Sequence, residues 1–203
     1  MLDFSADSPC VLIWTSPRKA IQKIIETHPN YLNFPLAFLI SLDRLLFEAS
    51  QQSLGLHYNY SVILGLAILI GIGYAFVWLY FFGWILQQIG KCFGGSAPFA
   101  HVRTVLAWAG APALLSIAVW FALLLFFPKS TFIKMDSGPS LLFLYFIMLI
   151  PSVWSLAIGI IGLQEVQHFS VGKAVGNWII FFAIFLLFQK IGFFLWAYFL
   201  TFM

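Results

Sequence analysis

Long stretches without a single charged residue dominate this chain. Val62 to Leu86, Val105 to Phe127 and Leu141 to Leu163 are each uncharged throughout. A hydrocarbon core about 30 Å thick is crossed by about 20 apolar helical residues, so each stretch predicts a transmembrane helix. Trp178 to Met203 predicts another, interrupted by Gln189 and Lys190. The segment from Tyr31 to about Ser50 carries Asp43, Arg44 and Glu48, yet Phe34–Leu42 and Leu45–Phe47 are largely apolar. It reads as a first span. The expected fold is an all-α membrane protein, a bundle of five transmembrane helices over about 31–50, 60–88, 102–127, 139–163 and 176–202.

The distribution of bases supports five spans. One side then holds Arg18, Lys19, Lys23, Lys91, Arg103 and Lys173, while the other holds Arg44, Lys129 and Lys134. Lysine and arginine concentrate in cytoplasmic segments, which predicts a cytoplasmic N-terminus and a C-terminus across the inner membrane. Without the first span, the N-terminal bases would lie opposite the loop holding Lys91 and Arg103, and the asymmetry would vanish.

Residues 1–30 form the expected cytoplasmic segment and 31–203 the membrane domain. The first ten residues include Asp3 and Asp7 and no base, unlike the basic start of a secretory signal. Ser16 and Pro17 have the chemistry of a helix cap and first helical position. Ala20, Ile21, Ile24 and Ile25 then form an apolar stripe, with Lys19, Gln22, Lys23 and Glu26 facing elsewhere. This pattern predicts an N-terminal interfacial amphipathic helix, anchored by Trp14 and holding Arg18, Lys19 and Lys23 near anionic headgroups. Pro29 and Pro35 turn the chain into the bilayer.

Composition closes off other classes. The 203 residues are 62% hydrophobic and 8% charged, against roughly 25% charge in a soluble domain. A net charge of +3 is too small and scattered for a nucleic-acid footprint. Cys10 and Cys92 fall on the cytoplasmic side, where reducing conditions favour free thiols, and they lack the paired histidines of a zinc site.

Four features carry candidate chemistry. Asp43 lies 14 residues past Pro29, and Lys190 lies 14 past Gly176, so both sit about 21 Å along their helices. Opposite charges at matched depth predict an intramembrane polar cluster of Asp43, Arg44, Glu48 and Lys190. It reads first as a structural ion pair between the first and last spans, and alternatively as a proton or ion relay. Glu165-x-x-His168 has one quarter of a di-iron helix motif. With three glutamates in the chain and no second copy, these residues and Lys173 read as wetting a helix end. Pro112 and Pro151 interrupt two spans and should free the carbonyls of Trp108 and Ile147. The pairs Ser61/Gly65, Ala67/Gly71 and Ala107/Ala111 suit close helix packing. No nucleophile is placed beside a base, so neither an enzyme nor a cofactor is expected.

Several short motifs recur in a recognisable order. Trp14-x-x-Pro17 precedes the basic helix, and Phe93-Gly94-Gly95-Ser96-Ala97-Pro98-Phe99 follows the second span. Ala107 through Ala111-Pro112, Trp154, Gly162-Leu163, Glu165-Val166, Phe169-Ser170 and Lys173-Ala174 come next. Over roughly residues 10–203 this arrangement resembles the Yip-domain (Rab/Ypt-interacting protein) family of five-span membrane proteins. Gly94, Gly95, Glu165, His168 and Lys173 match its cytoplasmic loop motifs. The eukaryotic branch acts in ER–Golgi traffic and carries a long hydrophilic N-terminal region with an Asp-Leu-Tyr-Gly-Pro motif. Here that region is about 30 residues and the motif is absent, so the chain resembles a compact bacterial member. The resemblance implies a non-catalytic role in membrane organisation, with membrane lipid, protein partners or further copies of itself as ligands. The alternative function is a small transporter or channel built on Asp43 and Lys190.

Overall fold

The computed structural model describes residues 8–128, 130–134 and 139–201, and the side chains among them except those of 139–148 and 191–201. Every described element is helical, as expected where backbone groups must be satisfied within their own segment. Two short helices, α1 (Pro9–Thr15) and α2 (Pro17–Thr27), precede α3 (Asn33–Gln51) and a single 3₁₀ turn, Leu54–Leu56. A continuous helix follows, made of α4 (Tyr60–Phe76), a π-helical stretch Val77–Phe82 and α5 (Gly83–Cys92). The rest is α6 (Phe99–Trp108), α7 (Ala113–Phe126), α8 (Pro139–Gln167) and α9 (Val171–Thr201).

Each of the five segments expected to span is helical. Four helical stretches, Tyr60–Cys92, Phe99–Phe126, Leu149–Gln167 and Val171–Lys190, are long and apolar enough to cross a membrane. This is a multi-pass membrane protein. The remaining segment, α3, is 19 residues, about 28 Å at 1.5 Å per residue, and carries three charges. Its first turn meets the second half of α6, where Asn33 Nδ2 donates to Thr104 Oγ1 at 3.1 Å. Beyond its end, Gly55 N donates to Phe132 O at 2.9 Å, past the end of α7. Thus α3 runs alongside the later part of α6 and the length of α7.

Pro112 divides that stretch in two. Lacking an N–H, it cannot continue the ladder, and the chain makes a turn over Ala109–Pro112. Gly110 N, Ala111 N and Ala113 N reach back three residues to Ala107, Trp108 and Gly110 at 2.9–3.0 Å. The Trp108 carbonyl, expected to be free, is therefore used, and the carbonyls of Leu106 and Ala109 receive none of these bonds. Pro151 sits within α8 without ending it.

Two apolar clusters fill the bundle. The larger, at the α2 end, includes Leu86, Val102, Trp108, Leu163 and Phe181. The smaller, at the far end, gathers Leu46, Ile63, Trp120 and Phe132. Glycines set the closest approaches. A Cβ on Gly159 would stand 2.3 Å from the buried Trp178 ring, and one on Gly71 would touch Phe38. Ala67 and Gly71 therefore serve packing, as do the buried Ala107 and Ala111. Ser61 and Gly65 do not, because both are exposed and Gly65 has open space around it.

The N-terminal helix corrects one expectation. α2 is amphipathic, but its stripe meets protein rather than lipid. Ala20, Ile21 and Ile24 are 0% exposed, covered by α1, α6 and α8. Trp14 is half-buried against the same cluster. The sequence showed that the stripe needed an apolar partner, and the folded bundle offers one before the bilayer does.

Gly159→Ala should lower stability by about 1–3 kcal/mol, the cost of overpacking a rigid contact. Gly65→Ala, in open space, should be neutral or gain up to about 1 kcal/mol from helix propensity. Thermal unfolding of both variants in detergent checks this contrast.

Candidate functional site

Polar side chains gather in two places, one at the α2 end and one midway along the bundle. At the α2 end, α5 stops in a turn that needs glycine. Gly94 has φ +86°. Gly94 N bonds Lys91 O and Gly95 N bonds Gly90 O, each at 2.9 Å, the paired bonds that end a helix on a left-handed residue. Gly95 has no room for a side chain, since the Gln167 amide would lie 2.1 Å from its Cβ.

That amide clamps the loop. Gln167 Oε1 accepts from Ala97 N at 3.1 Å, and Gln87 Nε2 donates to Ala97 O at 3.1 Å. Two buried glutamines thus take both backbone groups of one alanine. Lys173 Nζ donates to Phe93 O at 3.0 Å, and its ammonium lies over the Phe169 ring. Glu165 reaches the other way, accepting from Gln22 Nε2 at 2.6 Å and pairing with Arg18 at 3.4 Å. His168 adopts φ 54° and lets Phe169 N bond back to Gln164 O, so it terminates α8.

Gly94, Gly95, Glu165, His168 and Lys173 therefore share one end of the bundle, joined to Arg18 of α2. Lys19, Lys23 and Lys91 are exposed around them. Gln87, Gln167 and Asn177 belong to this end as buried residues that sequence reasoning missed. Isolated amides at the edge of apolar runs were the available signal.

Midway along, the expected cluster forms with different partners. Asp43 Oδ1 accepts from Trp120 Nε1 of α7 at 2.9 Å. Arg44 pairs with Glu48 at 2.6 Å, and its Nη2 also donates to Gln189 Oε1 at 3.1 Å. Gln189 in turn hydrogen-bonds with the Tyr74 hydroxyl. Lys190 is exposed, and among the described residues no ion pair joins it to Asp43. Matched depth was insufficient, because neighbouring helical residues point about 100° apart. Gln189, one position earlier, is the α9 residue that reaches α3.

Beside this cluster lies a partly open cleft of about 300 Å³. Asp43 and Arg44 form its α3 wall, Tyr74 lines it from the end of α4 and Trp78 from within the π-helical stretch, and Gly110 marks the broken α6–α7 turn. Ser155 and Trp178 face it from α8 and α9. Among the described residues no group of three or more His, Cys, Asp or Glu could hold a metal ion, and Cys10 and Cys92 form no disulfide.

A family model described as the Yip1 domain matches residues 11–189. No curated protein and no solved structure matches the chain.

Removing the Asp43 partner should be costly and removing Lys190 should not. Trp120→Phe should destabilise by about 1–3 kcal/mol through a lost bond to a charged acceptor. Lys190→Met should change stability by no more than about 0.5 kcal/mol. Double-mutant cycles with Asp43→Ala, which removes the acceptor, should show coupling to Trp120 and none to Lys190 when read by thermal unfolding in detergent.

Proposed function

The chain belongs to the Yip1 domain family, and from that premise we propose a non-catalytic protein that organises membrane through its α2 end. The observation that carries this reading is convergence. The Gly94–Gly95 turn, Glu165, Lys173 and α2 are tied to one rigid face, with Lys19, Lys23 and Lys91 exposed around it. Such a face suits anionic headgroups, each base near the surface contributing about 1 kcal/mol, or an acidic surface on a protein partner or second copy.

In this reading α3 is the fifth span, a view supported by its extent alongside α6–α7. The α2 end then lies in the cytoplasm of a bacterium, the membrane is the inner one, and the C-terminus is periplasmic. A second reading has one observation in its favour. A helix broken beside an intramembrane carboxylate is a feature of transporter sites, and the Ala109–Pro112 turn and Asp43 share a cleft. The cluster's polar groups are largely committed to one another, which favours the non-transporting role.

Reporters inserted at Ser96 and at Ser130 should read out as cytoplasmic and periplasmic respectively. The same compartment for both would remove the five-span topology. For function, nanodisc-held protein should capture anionic vesicles, and Lys19→Gln, Lys23→Gln and Lys91→Gln together should weaken capture at least tenfold. Proteoliposomes should show no proton or sodium flux. Flux that Asp43→Asn abolishes would instead establish the transporter.

A further inference from the structure

The cleft is short of hydrogen-bond acceptors. Trp78 Nε1, Trp178 Nε1 and Arg44 Nε are buried atoms with no partner among the described residues, and all three side chains line the cleft. Trp178 is only 4% exposed. Buried donors are almost always paired in native structures, so three orphans around one space point to something that fills it. Arg44 cannot turn to satisfy itself, because Nη2 is held by Glu48 and Gln189.

The same space fixes the chemistry of its occupant. Acceptor oxygens are needed for the three N–H groups. Asp43 contributes a carboxylate to the wall, and with Glu48 it outweighs the charge of Arg44, so a simple anion is disfavoured. A bare cation would leave the three donors unpaired. Ile40, Leu106, Leu156, Phe182 and Phe185 give the cleft an apolar side, and Tyr74, Ser116, Ser152 and Ser155 add hydroxyls to its polar side, so the occupant must be amphipathic or, failing that, water. A volume of about 300 Å³ is at the lower end for ligand sites, enough for a polar head but not for acyl chains.

We propose that the cleft holds the headgroup of a zwitterionic aminophospholipid. Its phosphate accepts from Arg44, Trp78 and Trp178, its ammonium faces Asp43, and its chains leave through the open side into the bilayer. This deepens the lipid-binding reading but at a separate site, so either can fail alone.

Native mass spectrometry of the full chain, offered equal amounts of phosphatidylethanolamine and phosphatidylglycerol, provides the test. One phosphatidylethanolamine should be retained per chain, in at least tenfold preference. Trp78→Phe with Trp178→Phe keeps aromatic rings but deletes two donors, and should lower retention about tenfold. Ser155→Leu fills the cleft without touching a charged group and should abolish retention. Asp43→Asn, which can still accept from Trp120, should erase the preference over phosphatidylglycerol. Thermal unfolding identifies which variants are folded. Equal retention of the two lipids by the wild-type chain would overturn the proposal. So would retention unchanged in folded Ser155→Leu, or no retained lipid at all, which would leave water as the occupant. The Lys19, Lys23 and Lys91 variant should retain phosphatidylethanolamine normally, whatever its effect on vesicle capture.

Discussion

Hydrocarbon offers a polar atom nothing to bond, and this constraint accounts for much of the pairing inside the bundle. Where Pro112 removes a donor, the chain re-bonds three residues back instead of four and keeps most carbonyls occupied. Where charge enters the bundle, it is met at once: Asp43 by Trp120, Arg44 by Glu48 and Gln189. Where a loop must pack against helices, Gln87 and Gln167 supply the missing partners for Ala97. In water such bonds contribute modestly because water competes for them. In lipid the alternative is an empty valence, so the pairing pattern dictates which helices touch.

That logic separates what was legible in the sequence from what was not. Three helix positions followed from uncharged length alone, since a 20-residue apolar run has few other uses, whereas α3 was read from its apolar flanks and the distribution of bases. The Gly94–Gly95 segment was visible as a loop motif, and the structure gives each glycine its own reason: a positive φ at Gly94 and no room for a Cβ at Gly95. The partner of Asp43 was not. Depth can be counted along a chain, but azimuth depends on how each helix is rotated by its neighbours. That partner is Trp120 of α7, while the α9 residue that reaches α3 is Gln189, bonded to Arg44 one position before the expected Lys190. The buried amides were passed over for a related reason. A glutamine at the edge of an apolar run looks like an interfacial residue until the loop it holds is in place.

The two ends of the bundle are built differently. The larger cluster knits α2, α5, α6, α8 and α9 around Trp108 and Phe181, and the Gly94–Gly95 turn packs beside its Phe93, Ala97 and Phe169. The smaller cluster holds α3, α4 and α7 beneath Phe132. The cleft opens between these regions, where the α6–α7 turn and the π-helical stretch both depart from regular geometry. π-helical insertions recur at functional sites, and here the irregular turns leave a space between packed helices.

The docking of α2 has a consequence in time. Its stripe is covered by α8, and Gln22 reaches Glu165 across 143 residues of sequence. A ribosome adding about 5–20 residues per second needs on the order of ten seconds to make that intervening chain. Throughout that interval α2 has α1 beside it, and later α6, but lacks the cover of α8. The core that buries Ile21 and Ile24 is thus closed only after α8 has been made, so the N-terminal helix is one of the last parts of the bundle to reach its final packing.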